Sequence, residues 1–382
     1  MFDFDKLIDR RKSNCIKWDL VEDTDVIPMW VADMDFEVAP CIKEALMKRV
    51  EHGVFGYTLV PESYYEAVQG WFARRHGFAI ERDWMLYTSG VVPGISCVLK
   101  ALTMPGENVL VQTPVYNCFF SCIKNNGCTV LENRLVRQGD TYKIDFEDFE
   151  AKCADEKTTV FLLCNPHNPG GRVWTKEELE RMNDICLRYG VRVVSDEIHC
   201  EFVMPGYQYT PFATVSEACL KNVVTLNAPS KAFNIAGLQI ANIICENSEV
   251  RRRIDRAINI NEVCDVNPFG VVALEAAYRD GEPWLEELKA YLWENYQAMK
   301  AFLGEHKPEW TVMRQEGTYV VWVDVSAMRK PVAELEALWL KERKVYVNAG
   351  THYGDIAGEG YIRINIACPR SRMLEGLNRL CR

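Results

Sequence analysis

Between about residues 84 and 244 the chain alternates short, nearly continuous apolar runs with longer segments of helical periodicity, and this alternation decides the fold class. The runs cover residues 85–88, 109–112, 129–132, 160–164, 191–195, 223–226 and 239–244, each rich in Val, Ile and Leu. Strands that are apolar on both faces must be covered on both faces, which means a mostly parallel sheet between layers of helix. Helical patterns fill the gaps at 93–102, 115–125, 145–154 and 176–189. The last opens on Thr175 with Glu178 three residues later, a capping box, and stops at Gly190. The prediction is an α/β chain with a mostly parallel central sheet and helices on both faces.

After residue 244 the pattern changes. Helices are expected at 248–259, 268–278 and 282–304, then strands at 310–313, 318–324, 345–348 and 361–366, with further helices at 332–342 and 371–381. Short strands mixed with flanking helices describe a smaller α+β unit. A chain of 382 residues has room for two units at about 150 residues each. The expected division is a large α/β domain at 46–280 and a small α+β domain built from 1–45 and 281–382.

Composition excludes several classes. The chain has 44 Lys+Arg against 54 Asp+Glu, a net charge of -10, which argues against a nucleic-acid-binding surface. No stretch of about 18 apolar residues is present, so no membrane span is expected. Charges at Asp3, Asp5, Lys6 and Asp9 stand where a signal peptide needs an apolar core, which predicts a cytoplasmic protein. The 15 cysteines are scattered, among them Cys15, Cys41, Cys97, Cys153 and Cys264, with no Cys-x-x-Cys pair. They read as small buried hydrophobes of a reducing compartment, and no metal site is expected.

In open α/β sheets ligands bind beyond the carboxyl ends of the strands, so the residues just after each run are the ones to question. After 85–88 comes Ser89-Gly90-Val91-Val92-Pro93-Gly94 leading into a helix, a turn whose free N–H groups suit a phosphate. It is neither G-x-G-x-x-G nor a P-loop, which speaks against a dinucleotide or a nucleoside triphosphate. Tyr116 comes after the second run, Asn168 sits in the Asn165-Pro166-His167-Asn168-Pro169-Gly170-Gly171 loop, and Asp196 with Ile198 and His199 comes after the fifth. Lys231 comes after the sixth, in Asn227-Ala228-Pro229-Ser230-Lys231. Singly, each has an ordinary explanation: a solvated lysine, a capping aspartate, a satisfied histidine. Jointly, an amine, an acid, a stacking aromatic, an amide and an anion cradle on one sheet edge describe a pyridoxal-phosphate site.

Those residues also carry a family resemblance. The run from Ala228 to Leu238 resembles the cofactor-lysine motif of fold-type I pyridoxal-phosphate enzymes, and the segments 165–174 and 195–199 fit the same superfamily. With Trp30-Val31-Ala32-Asp33-Met34-Asp35-Phe36 and His52-Gly53-Val54-Phe55-Gly56-Tyr57, the chain resembles the MalY/PatB group of cystathionine β-lyases. The resemblance implies that Lys231 bonds the cofactor covalently and later moves the substrate's Cα proton. It implies that Asp196 pairs with the ring nitrogen, that Tyr116 stacks on the ring, and that Asn168 binds the phenolic oxygen. Ser230 and the backbone of Gly90, Val91 and Val92 would hold the phosphate, with Ile198 and His199 beside the cofactor. Arg363 would clamp the substrate carboxylate, with Trp30, Asn168 and Tyr57 also at the substrate. Tyr57 would reach the phosphate of the other subunit, which makes a homodimer the expected partner arrangement.

Two positions depart from the aminotransferase pattern. Gln239 stands eight residues after Lys231, where many aminotransferases have a phosphate-binding arginine. His199 stands three residues after Asp196, where they usually have tyrosine. Both fit the lyase group better, so the expected reaction is β-elimination of a thiol from cystathionine or a cysteine thioether, leaving pyruvate and ammonia. An aminotransferase on the same scaffold is the alternative, and members of this group can also act as protein partners of transcription regulators.

Overall fold

The computed structural model describes residues 2–260 and 265–382, so Cys264 lies outside the described residues. The seven strands of the main sheet are β1 (Met85–Thr88), β2 (Asn108–Thr113), β3 (Thr129–Arg134), β4 (Thr158–Cys164), β5 (Arg192–Asp196), β6 (Val223–Asn227) and β7 (Ala241–Ile244). Across the sheet they run β1-β7-β6-β5-β4-β2-β3. The β2–β3, β2–β4, β4–β5 and β5–β6 pairs are parallel. β7 alone runs against its neighbours, β1 and β6. Every residue of β2, β6 and β7 is buried, as the continuous apolar runs required.

The helices that cover the sheet hold close to their expected spans. Lys176–Arg188 carries the capping box, with the Thr175 hydroxyl accepting from the Glu178 N–H and the Glu178 carboxylate accepting from the Thr175 N–H. The helix expected from residue 93 begins at Val91 instead, with Gly90 as its N-cap. Pro93 sits in the first turn, where a missing N–H costs no helical hydrogen bond. Gly94 on that helix is pressed onto the sheet: an added Cβ would lie 2.7 Å from Leu226 and 3.1 Å from Thr88.

A second, antiparallel sheet contains β8 (Thr311–Val312), β9 (Val320–Asp324), β10 (Asn348–Ala349) and β11 (Tyr361–Asn365), ordered β8-β9-β11-β10, and a separate short hairpin pairs Val136–Gln138 with Thr141–Lys143. The single strand expected at 345–348 divides in two: Val345–Tyr346 pairs in parallel with Ile27–Pro28, while Asn348–Ala349 joins β11. The N-terminal segment is thereby tied to the second sheet. The helix expected at 332–342 is α-helical only over Val332–Leu338 and ends in a wider five-residue π turn, Trp339–Arg343. The fourteen described cysteines are all free, and nine of them are buried, in line with their reading as small apolar residues.

Candidate active site

Because β7 is antiparallel, its first residues reach the same sheet edge as the last residues of β1, β4, β5 and β6. A cavity of about 470 Å³ opens at that edge. It is lined by Gly90, Val91, Val92, Tyr116, Asn168, Asp196, Ile198, His199, Ser230 and Lys231, together with Trp30, Gln239 and Arg363. Residues 333 positions apart in sequence thus share one wall, since Arg363 Nη2 donates to the Trp30 carbonyl at 2.7 Å. Of the residues expected at the site, Tyr57 alone stands apart: it does not line the cavity and is 96% exposed.

Asp196 closes β5, in register with Cys164 and Leu226, and is 3% exposed. One carboxylate oxygen accepts from the Ile198 N–H at 3.1 Å. Burial, with the charge of Glu197 added, pushes its pKa up to about 7, and the Ile198 N–H and Lys231 offset only part of this. The carboxylate therefore demands a cationic or N–H partner from the cavity. Glu197 points elsewhere: it accepts from Ser195 Oγ at 2.8 Å, the Phe212 N–H at 3.0 Å and Tyr209 Oη at 2.5 Å, which anchors the turn after the strand.

Lys231 lies in the one-turn helix Pro229–Ala232 behind β6. Its Nζ donates to the Ala32 carbonyl at 2.5 Å. The side chain keeps some exposure to the cavity, but protein encloses its amine. Burial first, then the charge of Arg363, lowers its pKa to about 8 against the pull of Asp33 and Asp196. Lowering the pKa this far enlarges the unprotonated fraction near neutral pH, the form that acts as nucleophile and base.

Asn168 sits in a loop that needs Gly171: its φ is +69°, and a Cβ there would meet the Arg314 carbonyl at 3.1 Å. The Asn168 Oδ1 accepts from Arg363 Nη1 at 3.3 Å. Arg363 is no edge charge. It lies in β11 between Trp322 and Asn348, is 4% exposed, and its guanidinium lies 4.7 Å from the Tyr353 ring centre. Among the described residues its buried Nε has no hydrogen-bond partner, so donor capacity is left for an anion.

His199, 3% exposed, has a buried Nδ1 without a partner among the described residues, and burial together with Lys231 and Arg363 lowers its pKa to about 3. It is a neutral imidazole at any working pH. Gln239 takes a left-handed conformation, φ 54°, at the cavity wall. The helix Val91–Leu102 has no side-chain N-cap, so its first N–H groups and positive dipole end face the cavity mouth unopposed by any capping side chain.

These features fit pyridoxal 5′-phosphate: a desolvated acid for a ring nitrogen, a near-neutral amine for an aldehyde, and an uncapped helix end for a phosphate. A model of class I and II aminotransferases matches residues 24–380. The chain belongs to the class I and II aminotransferase family. Within this family it is 42% identical to the cystathionine β-lyase PatB of Bacillus subtilis (strain 168), covering 99% of this chain and 98% of that one. Among solved structures, cystalysin from Treponema denticola, which contains pyridoxal 5′-phosphate, superposes with a TM-score of 0.97 at 35% identity, covering 100% of this chain and 98% of that one. The pyridoxal-phosphate-bound C–S lyase from Staphylococcus hominis superposes with a TM-score of 0.93 at 32% identity, covering 100% and 97%.

Sequence reasoning left two contributors of this family site without a role. Asn348 lines the cavity and donates to the Trp30 carbonyl at 3.3 Å and to Tyr353 Oη at 2.7 Å. The Ala32 carbonyl holds the lysine. A main-chain acceptor carries no side-chain signature; the 30–36 motif was the signal available.

Proposed function

We propose that this chain is a pyridoxal-phosphate-dependent C–S β-lyase that cleaves cystathionine or a related cysteine thioether to a thiol, pyruvate and ammonia. The observation that carries the reading is one cavity lined by the Lys231 amine, the Asp196 carboxylate and the Arg363 guanidinium. The likeness to PatB over nearly the full chain supports the choice of reaction.

When bound, pyridoxal phosphate supplies an electron sink for the substrate's Cα. The protein does the rest. Arg363 binds the substrate carboxylate through its free N–H edge, and Asn168, which already accepts from it, aligns it. Lys231 would hold the cofactor through Nζ until substrate arrives and would then take the proton from Cα; the sulfur leaves Cβ with its bonding pair and takes up a proton as the thiol, and water supplies the keto oxygen of pyruvate as ammonia is released. Asp196 would keep the proton on the ring nitrogen. Tyr116 would pack against the ring and Ser230 with the Gly90–Val92 backbone would bind the phosphate, while Ile198 and His199 wall the cavity. Trp30 lines the substrate side.

The exposed Tyr57 fits a homodimer in which it completes the partner's phosphate site, and the exposed neighbours Val54, Phe55 and Leu59 would be covered there. In this reading, residues 46–280 form the cofactor domain and 1–45 with 281–382 the small domain, the first seam falling inside the helix Pro40–His52. The family match also favours a second reading, transamination. Purified protein given cystathionine, cysteine or S-methylcysteine should release pyruvate without any keto acid. Product that forms only when a keto acid is added would establish the aminotransferase instead.

A further inference from the structure

In the Trp30–Phe36 motif only the Trp30 side chain is assigned to the substrate, yet the backbone is loaded with donors from distant parts of the chain. The Trp30 carbonyl takes Arg363 at 2.7 Å, and the Ala32 carbonyl takes both Lys231 at 2.5 Å and Tyr319 Oη at 2.9 Å. Asn365 Nδ2 donates to the Val31 carbonyl at 2.5 Å and the Asp33 carbonyl at 2.6 Å. Asn234, three residues after Lys231, donates to Met34 and Phe36 and accepts from the Met34 N–H, each at 3.0 Å. The donors come from the β6–β7 connection and from the second sheet, so this short segment joins the two walls of the cavity.

The motif's two acids fix the segment from behind. Asp35 accepts from Arg10 Nη1 at 2.7 Å, Trp18 Nε1 at 2.8 Å and Lys17 Nζ at 3.1 Å. Asp33 accepts from Arg10 Nη2 at 2.7 Å, with Lys17 Nζ 3.4 Å away. The Lys17 and Asp35 side chains are 1% and 3% exposed. Two cations and two anions balance, and every oxygen but Asp33 Oδ1, which among the described residues has only the Lys17 ammonium 3.4 Å away, accepts a hydrogen bond. Arg10 adds a bond to the Met34 carbonyl at 2.9 Å. Among the described residues, none of these four side chains lines the cavity.

We propose that residues 30–36 are a positioning strap that sets the spacing between the Lys231 amine and the Arg363 guanidinium, with Arg10 and Tyr319 as positioning residues that hold it in place. The proposal rests on the lyase reading in so far as it takes those two groups as the reacting amine and the carboxylate site. Arg10 secures the strap as a whole, so its loss lets Arg363 drift from the substrate carboxylate. Tyr319 donates to the same Ala32 carbonyl that the free Lys231 amine meets, so its hydroxyl fixes the stretch of strap beside the lysine side chain.

The test compares Arg10→Met, Arg10→Lys and Tyr319→Phe as cofactor-loaded enzymes with wild type, and uses Tyr64→Phe as a control. Tyr64 Oη makes an equally buried bond, 2.6 Å to Asn242, away from the strap. Misplacement of reacting groups by a fraction of an ångström is expected to raise KM about tenfold in Arg10→Met and lower kcat about tenfold in Tyr319→Phe. Arg10→Lys should recover most of the KM effect. Tyr64→Phe should move neither constant, and the absorption maximum of the lysine-bound cofactor should shift in Tyr319→Phe alone of the two phenylalanine variants. Constants within twofold of wild type in both Arg10→Met and Tyr319→Phe, or equal changes in Tyr64→Phe, would overturn the strap. If wild type itself makes no pyruvate, the lyase reading fails instead, and the absorption shift still decides the strap.

Discussion

Replacing Asp196 with asparagine in the cofactor-free protein keeps the shape of the side chain and removes its ionisation. In the folded chain this carboxyl titrates at about 7 instead of 3.8, because burial strips it of water and Glu197 repels it. Its folded pKa is raised above the unfolded value, so between the two the folded chain holds a proton that the unfolded chain has released. Stability must then fall as pH rises through that window. A shift of about 3 units at 1.36 kcal/mol each amounts to roughly 4 kcal/mol, fully present as a penalty above about pH 7. Lys231 acts elsewhere: with a pKa lowered from 10.5 to about 8, it makes stability rise with pH only between those values. Urea unfolding of the cofactor-free wild type and Asp196→Asn near pH 5 and pH 7.5 isolates the aspartate. The variant should gain on wild type by roughly 2–3 kcal/mol over that interval. Adding the cofactor should reverse the order, since the ring's N–H then neutralises the wild-type carboxylate. Parallel pH dependences for the two proteins would refute the claim that Asp196 is a strained, desolvated acid awaiting a partner.

Other perturbations test the remaining parts. Lys231→Ala should abolish turnover and the absorbance of the lysine-bound cofactor; a variant that keeps that absorbance would move the attachment point to another amine. Arg363→Ala should raise KM for amino acids about a hundredfold while leaving cofactor affinity within a few-fold, as read by titration of the cofactor-free protein. In the proposed homodimer, co-expressed Tyr57→Ala and Lys231→Ala chains should be more active than either alone, because one of the two sites would then be intact; no gain would mean that Tyr57 does not complete a partner's site. Gly94→Leu should cost about 1–3 kcal/mol or more in thermal or urea unfolding, since its Cβ alone would collide with Leu226.

The fold was legible because strands buried on both faces announce themselves as apolar runs, and the chemistry because it collects where those runs stop. Asp196, Asn168 and Lys231 stand out once the residues at the carboxyl end of each strand are inspected, and Arg363 by its motif. The direction of β7 does not: Gln239–Ile244 is equally apolar either way round, and only the short connection from Lys231 makes the antiparallel return possible. The division of residues 345–349 between two partners is hidden for a related reason, because pairing with Ile27 and with Ile362 is set by contacts far away in sequence. Main-chain acceptors such as the Ala32 carbonyl leave no trace in residue type. The start of the helix at Val91 escapes the sequence because a proline commonly opens a helix, whereas Pro93 occupies the first turn just inside this one.

The amine and the guanidinium ride on different sheets. A modest slip of the β11 layer relative to β6 would spoil recognition of an amino acid before it disturbed the cofactor's own pocket. On gentle heating or in dilute denaturant the enzyme should therefore fall silent while still yellow, and cooling should revive it without any fresh vitamin.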